Sequence, residues 1–357
     1  MNGFEQFLYK LQTTFIDVSQ PMGWFHCTFL FSCIIICVII FLFRHKFNEK
    51  VIKWFLIAFW IFLVLMEAAR ETIAAYNSSD PFGGHEWAWR YCWDDFPFQL
   101  CSMAIYTLLP AALITTKTKA GRLFKETFLT FCGTFVFFSG AVLTLYPTTI
   151  MDGKSRTWYA VYSCMWHMTL TIVGFTLLAT RQFKFNVWSF LKGSVLFAIT
   201  VVLAVSINEI FYYAAYIPAL NHAKSLGLDS LTSSVYNMNN FWLSPHFDNI
   251  LYPIISVFPF PQWYWVPVLL YIIIVSGGCA ANVYIAKGCD MLSNYIFVKT
   301  DIKCPKCKDH NLVIWRHVGG GSIHCEDFPL CHYTLKDEKK KQEILKKYLK
   351  PKAKKHK

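Results

Sequence analysis

Seven stretches of about 20 apolar residues recur between residues 24 and 287, each long enough to cross roughly 30 Å of hydrocarbon as an α-helix. No soluble core needs that many. The first ends in Arg44, His45 and Lys46 with no small-residue cleavage pattern, so it reads as a span and not as a removed signal peptide. The composition agrees, being 55% hydrophobic and 18% aromatic with only 16% charged residues. The expected fold is an all-α polytopic membrane protein, a seven-helix transmembrane bundle.

The spans are predicted at about 24–43, 54–75, 95–116, 126–146, 158–180, 187–217 and 263–287. Before them, Phe4, Phe7, Leu8, Leu11 and Phe15 stand at helical spacing, which suits a short interfacial helix ahead of Pro21. Asp95 is placed to cap the third span, with Pro97 in its first turn. The links after spans one, three and five are basic, carrying Arg44, Lys46, Lys50 and Lys53 in the first and Lys117, Lys119, Arg122 and Lys125 in the second. The alternate links are acidic or nearly neutral. The positive-inside rule then puts the N-terminus outside and the C-terminus in the cytoplasm, and the net charge of +12 reports topology first. The link over 218–262 contains Asn239, Asn240, Trp242, Pro245, His246, Pro259 and Pro261, with Trp263 just after it, and reads as a structured lid on the outer face.

Depth along the helices selects the groups that share a layer. At about 1.5 Å per residue, Cys101 lies about two turns into span three and His167 about three turns into span five, entered from the same side. Glu67, Arg70 and Glu71 approach the outer end of span two, and Asn208 and Glu209 occupy the outer half of span six. Ionisable groups within a span are costly unless paired or hydrated, so this layer points to a polar cavity. A thiol deprotonated by a nearby base attacks an ester or thioester carbonyl and holds the acyl group. Cys101 and His167 are the candidates for those roles, with Gln99, Ser102 or Asn208 able to donate to an oxyanion and Glu67, Glu71 or Glu209 able to orient the imidazole. Simpler readings stand beside these. Cysteine is a common small hydrophobe in spans, an intramembrane histidine is often a hydrogen-bonded structural residue, and Glu67 with Arg70 makes a local i,i+3 ion pair. Cys164, three residues before His167, is a rival nucleophile.

The segments Pro97-Phe98-Gln99-Leu100-Cys101-Ser102, the mid-span His167, Asn208, Asn240-Phe241-Trp242-Leu243-Ser244-Pro245 and Pro261-Gln262-Trp263-Tyr264 occur in the order found in the YwaF family of integral membrane proteins. The chain resembles that family, together with animal transmembrane protein 164, over roughly residues 20 to 290. The resemblance implies acyl transfer between lipids through a cysteine with a histidine partner, roles that fall on Cys101 and His167. Phe98 and Gln99 stand where the family more often has Leu and His.

Beyond about Lys299 the chain turns polar. Cys304-Pro305-Lys306-Cys307 is followed after 17 residues by Cys325 and, after five more, by Cys331. Two thiolate pairs on two knuckles fit tetrahedral zinc, with Asn311 to Arg316 and Ser322 to Cys325 as short strands, Gly319-Gly320-Gly321 as their turn, and His324 or His332 as a substitute ligand. About 35 residues cannot build a sufficient core, so Zn(2+) would contribute to folding. The pattern Cys304-Pro305-Lys306-Cys307, Leu312-Val313, Arg316, Gly321, Cys325, Phe328-Pro329, Cys331 resembles the zinc ribbon at the C-terminus of bacterial type I topoisomerases. That likeness implies single-stranded nucleic acid, or a docked protein, as the ribbon's partner, and a bacterial plasma membrane as the location.

The expected organisation is therefore an N-terminal interfacial segment (1–22), a seven-span domain (23–290), a linker with a zinc ribbon (291–335) and a basic, solvated or lipid-surface tail (336–357). The function read from these features is a membrane-embedded lipid acyltransferase or acyl hydrolase with phospholipid as acyl donor. The other reading is a non-enzymatic seven-helix transporter or sensor whose cytoplasmic ribbon docks a partner.

Overall fold

A computed structural model describes residues 1–15, 22–146, 156–247, 265–292, 297–317, 320–327, 331 and 333–349. Helix α1 (Gly3–Thr13) begins with a capping box: the Asn2 side chain accepts from the Glu5 N–H while the Glu5 carboxylate accepts from the Asn2 N–H. Its Leu8 and Gln12 face inward and Phe4 and Phe7 outward. Among the described residues six helices are long and apolar enough to cross a membrane. They are α2 (Trp24–Phe43), α3 (Glu49–Ala75), α5 (Lys119–Leu145), α6 (Thr157–Ala179), α7 (Val187–Ser225) and α8 (Trp265–Leu292), the last by its stretch Val268–Ile285.

The third predicted span is shorter than its sequence suggested. It forms a 3-10 turn, Leu100–Ser102, running into α4 (Met103–Leu113), about 21 Å of apolar helix where about 30 Å is needed. Asp95 does not cap it, and Pro97 lies ahead of the first turn. Proline holds the residue before it out of the helical region, and Phe96 is accordingly extended at ψ 127°, which delays the helix by a turn and a half. By contrast α7 runs for 39 residues, well past the predicted end at 217.

Close approach between α5 and α6 rests on two glycines. A Cβ on Gly174 would lie 2.3 Å from Phe137 Cβ, and one on Gly140 would lie 2.9 Å from the His167 carbonyl oxygen, so only glycine lets these backbones meet. Both α5 and α7 contain a π turn, Cys132–Val136 and Tyr212–Tyr216. The fully buried Phe131, Phe135, Trp166 and Phe197 fill the middle of the bundle.

The bundle has two chemically distinct ends. At one, Glu49 and Lys53 of α3, Ala112 of α4, Lys125 of α5 and Gln182 line one small cavity, which sets the basic links side by side. At the other, Gln12 of α1 donates to the Ile73 carbonyl (2.5 Å) and accepts from Arg156 (2.7 Å). A two-residue hairpin, β1 (Tyr76–Asn77) with β2 (Ala88–Trp89), lies at the same end. Helix α4 brings its C-terminal Ala111 and Ala112 to the basic-end cavity.

The C-terminal unit docks at the basic end. It is an antiparallel sheet ordered β3 (Phe297–Lys303), β4 (Asn311–His317), β5 (Gly320–Cys325), with Lys299 opposite Val313 and Val313 opposite His324. Strand β3 was not foreseen, and Gly320 and Gly321 belong to β5 instead of the turn. Part of the predicted solvated tail is also ordered: α9 (Glu338–Leu349) lays Ile344, Leu345 and Tyr348 on the sheet. Arg44 donates to the Arg316 carbonyl (3.2 Å), and Lys184 pairs with Asp327 (2.7 Å).

Candidate functional site

Cys101 sits in the 3-10 turn at the mouth of α4, half-buried and packed against the main apolar core. Tyr106 donates to the Pro97 carbonyl (3.0 Å), and the Phe98 N–H donates to the Phe96 carbonyl (2.7 Å), which fixes the turn's entry. The sulfur is thus at the start of the helix and not two turns into it.

His167, 5% exposed, is in the interior on α6. Its Nδ1 lies 2.8 Å from the Ser163 carbonyl oxygen. A carbonyl only accepts, so Nδ1 carries the proton and Nε2 presents its lone pair. That Nε2 is buried and has no hydrogen-bond partner among the described residues, so Cys101 and His167 are not hydrogen-bonded to one another. A buried ring nitrogen left unpaired calls for water, a ligand or a catalytic role. Cys164 is turned elsewhere: 6% exposed, it packs with Ala160 against Phe25 and Phe29 of α2.

The predicted polar layer separates into three groups. In the first, Arg70 is the hub. Its Nη2 and Nε donate to Glu67 Oε1 (2.7 and 3.1 Å), Nη2 also to Glu71 Oε1 and the Asp95 carbonyl, and Nη1 to Asp95 Oδ1 (2.8 Å). Tyr162 donates to the other Glu67 oxygen (2.5 Å). The local Glu67–Arg70 pair is therefore real, and through Asp95 it also anchors the segment leading into the Cys101 turn. In the second group, Asn208 and Asn240 exchange bonds: the Asn240 N–H donates to Asn208 Oδ1 (2.8 Å) and Asn208 Nδ2 to the Asn240 carbonyl (3.1 Å). Gln99 Nε2 donates to the Asn239 carbonyl (2.9 Å), so residues 239–240 tie α7 to the residue preceding the turn's first position. In the third, His246 Nε2 lies 3.2 Å from Glu209 Oε1, and its ring stacks on Tyr212 at 3.5 Å between centroids. Among the described residues no carboxylate bonds to His167, whose Nδ1 is oriented by Ser163 instead. Ser102 is buried beside Cys101. Pro259, Pro261, Gln262, Trp263 and Tyr264 of the lid lie outside the described residues.

Asp95 and Tyr162 were missed as partners of Glu67 and Arg70. An arginine that far inside a span needs more than one carboxylate and a phenol is a common donor, but only the fold says which. A further buried cluster at the basic end was also missed, where Glu126 accepts from Ser189 (2.6 Å) and Lys192 (2.5 Å). Here a signal existed: Glu126 is a carboxylate at the edge of an apolar run.

In the C-terminal unit the sulfurs of Cys304, Cys307, Cys325 and Cys331 all lie within 4.8 Å of one another. Cys304 and Cys331 are 3.7 Å apart and Cys307 and Cys325 3.6 Å. A tetrahedron with metal–sulfur bonds of about 2.3 Å has edges of about 3.8 Å, so the four fit one metal ion. Burial pushes the Cys331 thiol up to about 11. At Cys307 burial also raises it, but the His310 and Asp309 N–H groups, the His310 ring and Cys325 outweigh this and hold it down at about 6. His324 is no ligand: its ring nitrogens bond Ser322 (2.9 Å) and Thr334 (3.0 Å). His332 lies outside the described residues.

Six long apolar helices, a short one between them and polar groups held in the interior define an integral membrane protein with a four-cysteine unit on one end. Residues 21–275 match the model of the TMEM164 family, and the chain belongs to that family, as the order of its motifs indicated. The matched region ends before the four-cysteine unit. No curated protein and no solved structure matches the chain.

Proposed function

We propose that the protein is a membrane-embedded lipid acyltransferase with Cys101 as nucleophile and His167 as base. The observation that carries this reading is the buried Nε2 of His167, a lone pair held in one tautomer by Ser163 and bonded to nothing among the described residues. In the proposed cycle Nε2 takes the proton from Cys101 Sγ, and the thiolate attacks the ester carbonyl of a phospholipid. The tetrahedral intermediate collapses with loss of the lysolipid alkoxide, which takes the proton from Nε2, and leaves a thioester on Cys101. An acceptor lipid hydroxyl then attacks the thioester, giving its proton to Nε2, and the departing thiolate recovers it. Water as acceptor makes the same cycle a hydrolysis. The cycle requires Sγ within hydrogen-bond reach of Nε2 once lipid is bound.

Arg70, Glu67, Glu71 and Asp95 serve to fix the turn, and Gln99 and Asn208 to tie it to residues 239–240. Helix α4 serves as a seventh crossing, with the N-terminus outside and the C-terminal unit in the cytoplasm of a bacterial cell, because the basic links then all face inward. The four-cysteine site takes zinc as a structural ion, and the ribbon is the docking point for a protein or a single strand of nucleic acid.

The test is incubation of the purified protein with phospholipid carrying a labelled acyl chain, followed by mapping of hydroxylamine-sensitive label. Label on Cys101, lost in Cys101→Ala and not formed in His167→Ala, is the expected result. Label on Cys164 would keep the class and move the nucleophile. Absence of label from every lipid class, with folding and metal content intact, would overturn the reading.

A further inference from the structure

Across the bundle from Cys101, at the basic end, a groove of about 540 Å³ opens between the membrane helices and the four-cysteine unit. One wall is a single face of α5, where Lys119, Arg122, Leu123 and Glu126 recur at helical spacing. Lys184 and Lys192, from the link into α7 and its first turns, form a second wall, and Lys306, Cys307, Asp327 and Cys331 of the ribbon close the third. Five cationic side chains thus face two carboxylates.

Both carboxylates are already engaged. Glu126 is held by Ser189 and Lys192, and Asp327 by Lys184 at 2.7 Å. Lys119, Arg122 and Lys306 are exposed and pair with no carboxylate among the described residues, although Arg122 donates to the Thr116 carbonyl (3.2 Å). The tetrathiolate centre, two of whose ligands line the groove, would carry a formal charge of −2 with a divalent ion, and the groove remains net positive. Like charges brought together without counter-charges repel, so three such cations round one groove mark a place where an external anion is stabilising.

The surroundings say what bears that anion. Leu123 and Phe124 on α5 and Val187 and Trp188 on α7 are exposed apolar side chains within a turn or two of the lysines, Trp188 being 75% exposed. Apolar and indole surface next to Lys and Arg at the end of a membrane helix is the composition of the headgroup level, and a basic pocket between helices there suits a phospholipid headgroup. A soluble anion would gain nothing from Trp188 and Phe124, whereas a lipid's acyl chains would cover them.

We propose that this groove binds the phosphate headgroup of an anionic phospholipid, held by Lys119, Arg122 and Lys306, so that the lipid bridges the bundle and the ribbon. The site is separate from the proposed acyl-transfer centre and stands or falls independently of it, since α4 separates the two.

The test uses the full-length protein purified in detergent. Native mass spectrometry is run with phosphatidylglycerol or phosphatidylcholine added at equal concentration, for the wild type and for Lys119→Gln/Arg122→Gln/Lys306→Gln. The control is Lys346→Gln/Lys347→Gln on α9, outside the groove. At least fivefold preferential retention of phosphatidylglycerol is expected for wild type and control, falling to near parity in the triple variant. Equal retention in the triple variant and the wild type overturns the proposal. Inorganic phosphate or glycerol phosphate displacing the lipid at equimolar concentration overturns the lipid source in favour of a soluble phosphate. Displacement by an equimolar single-stranded oligonucleotide overturns it in favour of nucleic acid. Should the triple variant not elute as a folded species, Lys306→Gln alone, on an exposed knuckle, is expected to halve the preference, and an unchanged preference overturns the proposal.

Discussion

At the scale of single residues, Arg70 holds more of the site in place than any other side chain described, since Glu67, Glu71 and Asp95 all depend on its one guanidinium. Removing one partner of a buried ion network leaves the others uncompensated, at a cost of about 3–5 kcal/mol. Arg70→Ala should therefore lower the thermal midpoint strongly in detergent, and Arg70→Lys should fail to restore it, because an ammonium cannot reproduce the planar fork. A smaller effect is expected at Asn208, wholly buried and bonded in both directions to residue 240. Asn208→Ala strands two buried backbone groups and should cost about 1–3 kcal/mol, read by chemical denaturation. Sequence could indicate that Glu67, Arg70, Asn208 and Glu209 share a depth, because rise per residue is fixed. It could not indicate that they form separate groups, because position around the bundle depends on helix order and rotation. The same gap left Cys164 standing as a rival to Cys101 until it proved to face Phe25 and Phe29.

At the scale of elements, the α5–α6 contact is governed by the absence of side chains at Gly140 and Gly174. A methyl at Gly140 would meet the backbone of α6 at Thr171 and at His167 itself. Overpacking of this kind costs about 1–3 kcal/mol. Gly140→Ala should destabilise the protein and reduce acyl labelling of Cys101 together, whereas Gly277→Ala, which meets nothing within 4 Å, should change neither. The C-terminal unit makes a contrasting prediction. Its apolar core is small, so chelation at neutral pH should expose β3–β5 to hydrogen exchange while the membrane helices stay protected. Lowering the pH should release the metal as the thiolates are protonated. Cysteine spacing announced this unit, but two of its elements were hidden. Strand β3 is separated from the apolar α8 by only four residues, so its Phe297 and Val298 read as the tail of the same apolar run. In α9, Ile344, Leu345 and Tyr348 form one apolar face on a helix whose lysines dominate its composition.

At the scale of the whole molecule, the long apolar runs made the number and order of most membrane helices legible, because length in hydrocarbon is a property of composition. The boundaries of α4 were not, since Pro97 acts through local backbone geometry. The proposed orientation predicts that an impermeant thiol reagent labels a cysteine introduced at Gly84 in intact cells and one at Gly227 equally, whereas one at Lys117 is labelled only after permeabilisation. Labelling in the reverse order would invert the topology. Helix α7 reaches both ends as one continuous helix that carries the π turn Tyr212–Tyr216, its 39 residues extending about 58 Å. It begins among the lysines beside the ribbon, passes the Asn208 clamp and ends where His222 meets Phe82 of the far loop, 5.0 Å between ring centroids. A helix of that length is a lever: a tilt of some ten degrees about its basic end would swing the other end by about 10 Å, so a displacement beside the ribbon would be magnified at the far loop.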